Sequence, residues 1–186
     1  MRRTPAASDW RGRYAGLLFS PDEAVAPVRS GDRVWAGGWT SVPTTLCGAL
    51  AERRTELHDV GIYTFLTPFP WDRPELLESF RITSAYAGPN EREAVLAGRF
   101  DYLPIAQFRE GGPPPGIDFD FDVALIPISP PDENGNCSFG GAVWFGPSVS
   151  RRAKLLVGEI HPEFIRTGGE NSIHVSRFAR LAEVQG

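Results

Sequence analysis

Apolar residues fall along this chain in short runs separated by turn formers, and the runs switch between two periods. The longest, Val123-Ala124-Leu125-Ile126-Pro127-Ile128, is almost uninterrupted, the pattern of a strand covered on both faces. Pro127 lacks a backbone N–H, so this strand is predicted to end near it. Arg33 to Ala36, Val60 to Leu66, Arg81 to Ala85, Leu155 to Ile160 and, last, Asn171 to Val175 read as further strands. Between them lie helical patterns. Trp10 to Leu18 suits a short amphipathic helix. Ser20-Pro21-Asp22-Glu23 is a capped helix start, and that helix should stop near Arg29 to Asp32. Pro43 to Glu56 places Leu46, Ala49 and Leu50 on one face. Pro74 to Phe80, Asn90 to Gly98 (capped by Asn90) and Pro147 to Ala153 complete the set. Strands alternating with helices predict an α/β fold, a mostly parallel sheet flanked by helices.

At 186 residues the chain fits one domain, with residues 1–9 as a loose arm and Gly111 to Gly116 as a stiff surface loop. Hydrophobic residues at 41% and charged residues at 23% are ordinary for a globular protein. With 19 Lys+Arg against 23 Asp+Glu the formal charge is −4, which offers no broad attraction to nucleic acid. No apolar stretch approaches the roughly 20 residues of a membrane span. The N-terminus has the charge of a signal peptide without its apolar core, and Cys47 and Cys137 make no disulfide framework, so a reduced cytoplasmic setting is expected.

Three constellations carry possible chemistry. Strand, then Gly37-Gly38-Trp39-Thr40-Ser41-Val42-Pro43, then helix, allows backbone to pass close to a ligand and offers helix N–H groups to anions. It is neither a Walker loop nor a dinucleotide fingerprint, and a plain tight turn fits equally well. The second is Ser129-Pro130-Pro131-Asp132-Glu133-Asn134-Gly135. Its place beyond the carboxyl end of a buried strand is where open α/β sheets bind ligands. Asp132 or Glu133 could move a proton there, or simply cap the turn. The third, Arg166 to Val175, puts a Gly-Gly pair and Glu170 beside His174, as a Glu–His pair or as structural residues. His58, His161 and His174 lack the local partners of a zinc site, so no metal is expected. No base neighbours Cys137 in the sequence, and Cys47 lies on an apolar helix face. The tryptophans are not interleaved with basic residues, which argues against single-strand stacking.

The segment Ser129 to Gly135, continued by Cys137-Ser138-Phe139-Gly140, resembles the SPPDxxGxxSxG signature of the acetyl-CoA hydrolase/CoA-transferase family, which includes acetate and 4-hydroxybutyrate CoA-transferases. The register extends in order over nearly the whole chain: Ala24-Val25 with Ser30 to Val34, Pro43 and Leu50, Gly88 to Val95, Gly98 to Pro104, Ala153-Lys154, and Gly168 to Ser176. The resemblance covers the first half of the family's usual length. It departs at His161, where the family often has Asn, and at Ile165-Arg166-Thr167, where Pro-Arg-Thr is common.

The resemblance implies a CoA-transferase-like fold and a reaction in which a glutamate carboxylate attacks an acyl-CoA thioester. That glutamate and the glycine-rich oxyanion stretch belong to the family's second half. The implied protein is one subunit of a split CoA-transferase or acyl-CoA hydrolase, with coenzyme A thioesters as substrates and the catalytic glutamate on a separately encoded second-half partner. Gly37, Gly38, Trp39, Pro43, Ser129, Pro130, Pro131, Asp132 and Gly140 would line the substrate. Glu170 and His174 are weaker catalytic candidates; Glu170 falls in a first-half segment rather than in the family's glutamate motif. Two other expectations share the scaffold: acyl transfer or thioester hydrolysis in a biosynthetic pathway, and a non-catalytic module that binds a CoA ester or sugar phosphate.

Overall fold

The structure, a computed structural model, describes residues 9–104, 120–141, 143 and 145–184. In chain order the elements are α1 (Trp10–Arg13), α2 (Pro21–Val25), β1 (Arg33–Gly38), α3 (Thr44–Glu52), β2 (Val60–Phe65), α4 (Pro74–Leu77) and β3 (Phe80–Ser84). Then come α5 (Pro89–Leu96), β4 (Asp101–Tyr102), β5 (Val123–Ile128), β6 (Asn136–Ser138), α6 (Gly146–Arg152), β7 (Leu155–Ile160), β8 (Ser172–His174) and β9 (Arg180–Glu183). Seven strands form one sheet in the order β4-β3-β2-β1-β5-β7-β9, every pair parallel. β6 and β8 form a separate antiparallel pair.

Alternation along β5 explains its continuous apolar run. Val123 and Leu125 join the core beneath α2 and α3, with Val34, Leu46, Leu50, Ile62 and Val157. Ala124, Ile126 and Ile128 point the other way, into a core shared with Trp35, Phe121, Phe139, Val149 and Phe178. A strand buried on both faces has no polar side to show.

Several sequence expectations shift. β5 does end near Pro127, one residue beyond it at Ile128, but Pro127 itself lies within the strand, in register with Glu159. The carbonyls of Asp122 and Ile128 accept from the N–H groups of Leu155 and of His161, the residue after β7, so the odd residues between them turn toward β1. Pairing with β1 reaches only Ala124, and the missing N–H of Pro127 therefore interrupts no ladder. The last strand is β9, not Asn171 to Val175; β8 lies in the small sheet and pairs with the returning loop. Gly88, not Asn90, caps α5, with Pro89 at the first position and the Glu91 carboxylate accepting from the Gly88 N–H at 3.1 Å. The Trp10 helix is one turn, followed by a 3₁₀ turn at Ala15–Leu17. The stretch from Gly111 to Gly116 lies outside the described residues. Among the described residues no helix is long and apolar enough to cross a membrane.

The chain leaves β1 on one side through β2, β3 and β4, then returns to its other side through β5, β7 and β9. The reversal lies between β1 and β5, the position at which doubly wound sheets open a crevice.

Candidate functional site

β1 and β5 pair only at Val34–Val123 and Trp35–Ala124, while β1 stays with β2 as far as Gly38–Phe65. An irregularity between Trp35 and Gly38 accounts for the divergence. Gly37 has φ 73°, a left-handed conformation that re-aims the strand as a bulge does. A Cβ on Gly37 would collide with the Ser41 carbonyl, and one on Gly38 with the Phe65 ring. The Thr64 hydroxyl fixes the bend by donating to the Gly37 carbonyl at 2.9 Å.

The strands thus part over a shallow, open crevice of about 20 Å³, bordered by Gly37, Gly38, Ser41, Ile126, Pro127 and Phe139. Trp35, Phe65 and Phe145 also line it, with ring centroids 6.0 to 6.1 Å apart and Phe145 edge-on to the other two. These rings make it predominantly apolar. Of the expected substrate-binding residues, Gly37 and Gly38 border this space. Trp39, φ 57° and about half exposed, follows directly. Pro43 is buried at the N-cap of α3, which has no side-chain cap of its own. One N–H of that helix start is already taken: Leu46 donates to the buried Glu159 carboxylate at 2.8 Å.

The loop after β5 reaches the crevice through Phe139; the expected Ser129, Pro130, Pro131, Asp132 and Gly140 are not among its lining residues. Ser129 N–H donates to the Ser138 carbonyl at 3.0 Å, and Ser138 N–H to the Ser129 hydroxyl at 2.8 Å. Asp132 Oδ1 accepts from the N–H groups of Asn134 and Asn136, at 2.9 and 2.8 Å, which makes it the organiser of the turn. Arg166 clamps the loop, donating to Ser129 Oγ, the Pro130 and Asn136 carbonyls and Asp132 Oδ2 over 2.7 to 3.3 Å. Asp132 and Glu133 face a second hollow, against Trp10, Arg13 and Tyr14 of the N-terminal segment. Gly140 receives the Thr167 hydroxyl and the Asn171 amide on its carbonyl, at 2.8 and 2.9 Å.

Glu170 and His174 are not brought together. No hydrogen bond or ion pair links them among the described residues. His174 accepts the Ser176 N–H on Nδ1, which also lies 2.8 Å from the Ser176 hydroxyl, and so caps a 3₁₀ turn. Glu170 is exposed. Burial pushes the Cys137 thiol up to about 12 despite the nearby Arg166 guanidinium, a poor setting for a nucleophile. Burial, with the negative charge of Glu159 next, also holds Cys47 well above its usual value.

Two buried carboxylates escaped the sequence reading. Glu91 joins three elements: it accepts from Ser84 Oγ at 3.1 Å and from the N–H groups of Thr67 and Gly88 at 3.4 and 3.1 Å. Burial raises its carboxyl above the ordinary range, those bonds offsetting only part of the effect. Glu159, fully buried, bridges Leu46 and His161. The capping spacing from Gly88 to Glu91 could have revealed the first. A lone acid in the apolar β7 run was the only trace of the second.

The crevice opens at the topological switch point between β1 and β5, where open α/β sheets bind ligands. Residues 3–183 match the acetyl-CoA hydrolase/transferase N-terminal domain, and the chain belongs to that family. It is 30% identical over 173 residues to the succinyl-CoA:acetate/propanoyl-CoA:succinate CoA transferase of Fasciola hepatica, covering 89% of this chain and 35% of that protein. It is 28% identical to the 4-hydroxybutyrate coenzyme A transferase of Clostridium kluyveri, covering 94% and 41%. RipA from Yersinia pestis superposes with a TM-score of 0.82 at 25% identity, covering 96% of this chain and 44% of that one. The chain thus spans about two-fifths of the length of the proteins it matches.

Proposed function

We propose that this chain is one subunit of a heteromeric CoA-transferase or acyl-CoA hydrolase, its catalytic glutamate supplied by a separately encoded second-half partner. The observation that carries this reading is the crevice itself. It is apolar, opens at the switch point of a family scaffold that works on CoA thioesters, and has no carboxylate among the described residues that line it. In this reading the group that attacks the thioester comes from the partner. The matched relatives extend well beyond the region this chain covers. Exposed apolar side chains at the carboxyl edge of the sheet, Trp39, Tyr86, Tyr102 and Ile165, suit a surface that another domain covers. In this arrangement the aromatic floor holds the acyl group, and the Gly37-Gly38 bend and the Ser129 to Gly140 loop shape the approach of coenzyme A.

The test is co-purification of the tagged chain with its partner, mass spectrometry of the assembly, and assay of acyl exchange between acetyl-CoA and propionate. Activity is expected only with the partner. Exchange by the purified chain alone, lost on Glu170→Ala, would overturn the assignment.

A further inference from the structure

Glu91 is buried, 1% exposed, and has no task in the proposed reaction. It stands in the first turn of α5, and its carboxylate collects donors from three segments. Oε1 accepts the Thr67 N–H after β2 at 3.4 Å and the Ser84 hydroxyl at the end of β3 at 3.1 Å. Oε2 accepts the Gly88 N–H at 3.1 Å. These partners are N–H groups and a hydroxyl rather than a cation, so burial wins and the carboxyl is raised. A carboxyl raised by folding adds stability only while protonated, and that stability is lost as pH rises through the raised value. In its ionised form Glu91 is thus a cost to the fold.

The segment it holds is strained. Leu66, between Phe65 and Thr67, has φ 46°, a left-handed conformation that a branched side chain keeps only where its surroundings enforce it. Its own N–H donates to the Tyr86 carbonyl at 3.4 Å, and its side chain fills the space where Gly88 would carry a Cβ. Glu91 therefore bonds to the residue that follows Leu66 and to the residue on which Leu66 packs. Phe65, one position earlier, belongs to the crevice. Its ring lines the space, stands 6.0 Å from the rings of Trp35 and Phe145, and abuts the position of a Gly38 Cβ.

We infer that Glu91 is a positioning residue for the acyl site: by holding Thr67 and Gly88 it keeps Leu66 left-handed, and the Leu66 turn sets the Phe65 ring in the crevice wall. The inference rests on the reading that the acyl group of acyl-CoA binds against that ring. Glu91 itself touches no substrate. In Glu91→Gln one acceptor oxygen becomes an NH₂ group, so either the Thr67 or the Gly88 N–H faces another donor. The turn then loses its hold, Leu66 relaxes toward an extended backbone, and the ring leaves its place.

Hydrogen exchange on the full chain reads the first step. The Thr67 N–H should be protected in the unsubstituted chain and exchange about tenfold faster in Glu91→Gln, the worth of one hydrogen bond, with β5 unchanged. Acetyl-CoA/propionate exchange by the partnered enzyme reads the second. Glu91→Gln should raise KM for acetyl-CoA by about tenfold and leave kcat within about threefold, a loss of binding without a loss of chemistry. Adding Leu66→Gly should recover most of that KM, because glycine enters the left-handed region without support, and a general loss of folding would not be recovered in this way. Should Glu91→Gln not fold, Thr67→Pro removes the same N–H, steers Leu66 to an extended backbone and should raise KM in its place. An unprotected Thr67 N–H in the unsubstituted chain, an unchanged KM in the variant assayed, or a double variant no better than Glu91→Gln overturns the positioning role. Absence of acyl exchange in the unsubstituted assembly would instead remove the acyl-CoA reading, and the protection of Thr67 would still judge the turn by itself.

Discussion

Where β1 ends, the crevice wall is shaped by atoms that are not there: Gly37 and Gly38 have no Cβ, and the Ser41 carbonyl and the Phe65 ring occupy the space one would need. Where β5 ends, the loop that brings Phe139 to the crevice is shaped by directional bonds, with Asp132 holding the turn and Arg166 pinning four acceptors across it. The first wall is locked by repulsion and tolerates almost no side-chain change. The second is a polar network, whose parts can be removed one at a time with graded losses. The difference teaches that one site can be rigid for two unrelated reasons, which are broken by different experiments.

The largest effect is expected at Gly37. Gly37→Ala combines a left-handed backbone with a collision against main chain, and should lower unfolding free energy by about 3 kcal/mol or more. Gly168→Ala, which has open space around it, should change stability by less than about 0.5 kcal/mol. Denaturant midpoints measure both; similar values for the two would dissolve the claim of steric locking.

Arg166→Ala comes next. Its guanidinium is 43% exposed, so screening limits the loss to about 1–2 kcal/mol, concentrated in the loop. Hydrogen exchange should quicken at the N–H groups of Asn134 and Asn136 and stay unchanged in β1. Arg166→Lys should recover little of the protection, because a single ammonium cannot reproduce the fork. Uniform loss of protection in both walls would show that the network does not act locally.

Thiol labelling sharpens the same contrast at lower amplitude. Cys47 lies under the first wall and Cys137 in the second, and burial raises both thiols. At pH 8 neither should react with a thiol reagent on the timescale of a model thiol. Cys137 should become the faster of the two in Arg166→Ala, and equal rates there would count against a loop wall that opens by itself.

The smallest effect is placed at the far end of β5 as a control. Burial would raise the Asp122 carboxyl, but the Arg33 N–H at 2.8 Å and the Lys154 ammonium at 2.6 Å outweigh it and lower it below its ordinary value. A lowered carboxylate contributes stability above the unfolded value, near pH 4, and loses it as pH falls through the folded one. Lys154→Met should therefore lower the denaturant midpoint only slightly at pH 7, since Lys154 is 75% exposed, and converge with the unsubstituted chain in acid. A gap that widens in acid would reverse the sign of this argument.

Patterns that depend on near neighbours could be read from the sequence. Six residues buried on both faces make an apolar run, so β5 and β7 were legible, as were the parallel α/β class and the turn built on Asp132. The capping box at Ser20 needs only four consecutive residues, and it forms with both of its bonds. The SPPD loop was legible as a place, beyond the end of a buried strand.

Tertiary structure alone decided what distant segments do to one another. β9 and β4 are too short to show a period, and β6 and β8 are strands only because the loop after β5 folds back onto the segment after β7. Pro127 remains in a strand because its neighbour on that side has already left. The aromatic floor draws Trp35, Phe65 and Phe145 from three separate elements. Glu159 and Leu46 are 113 residues apart, and Arg166 reaches its acceptors across 30 to 37. Local propensity reports the conformation of a segment, whereas a crevice or a clamp exists only where chain entropy has already been lost in bringing segments together.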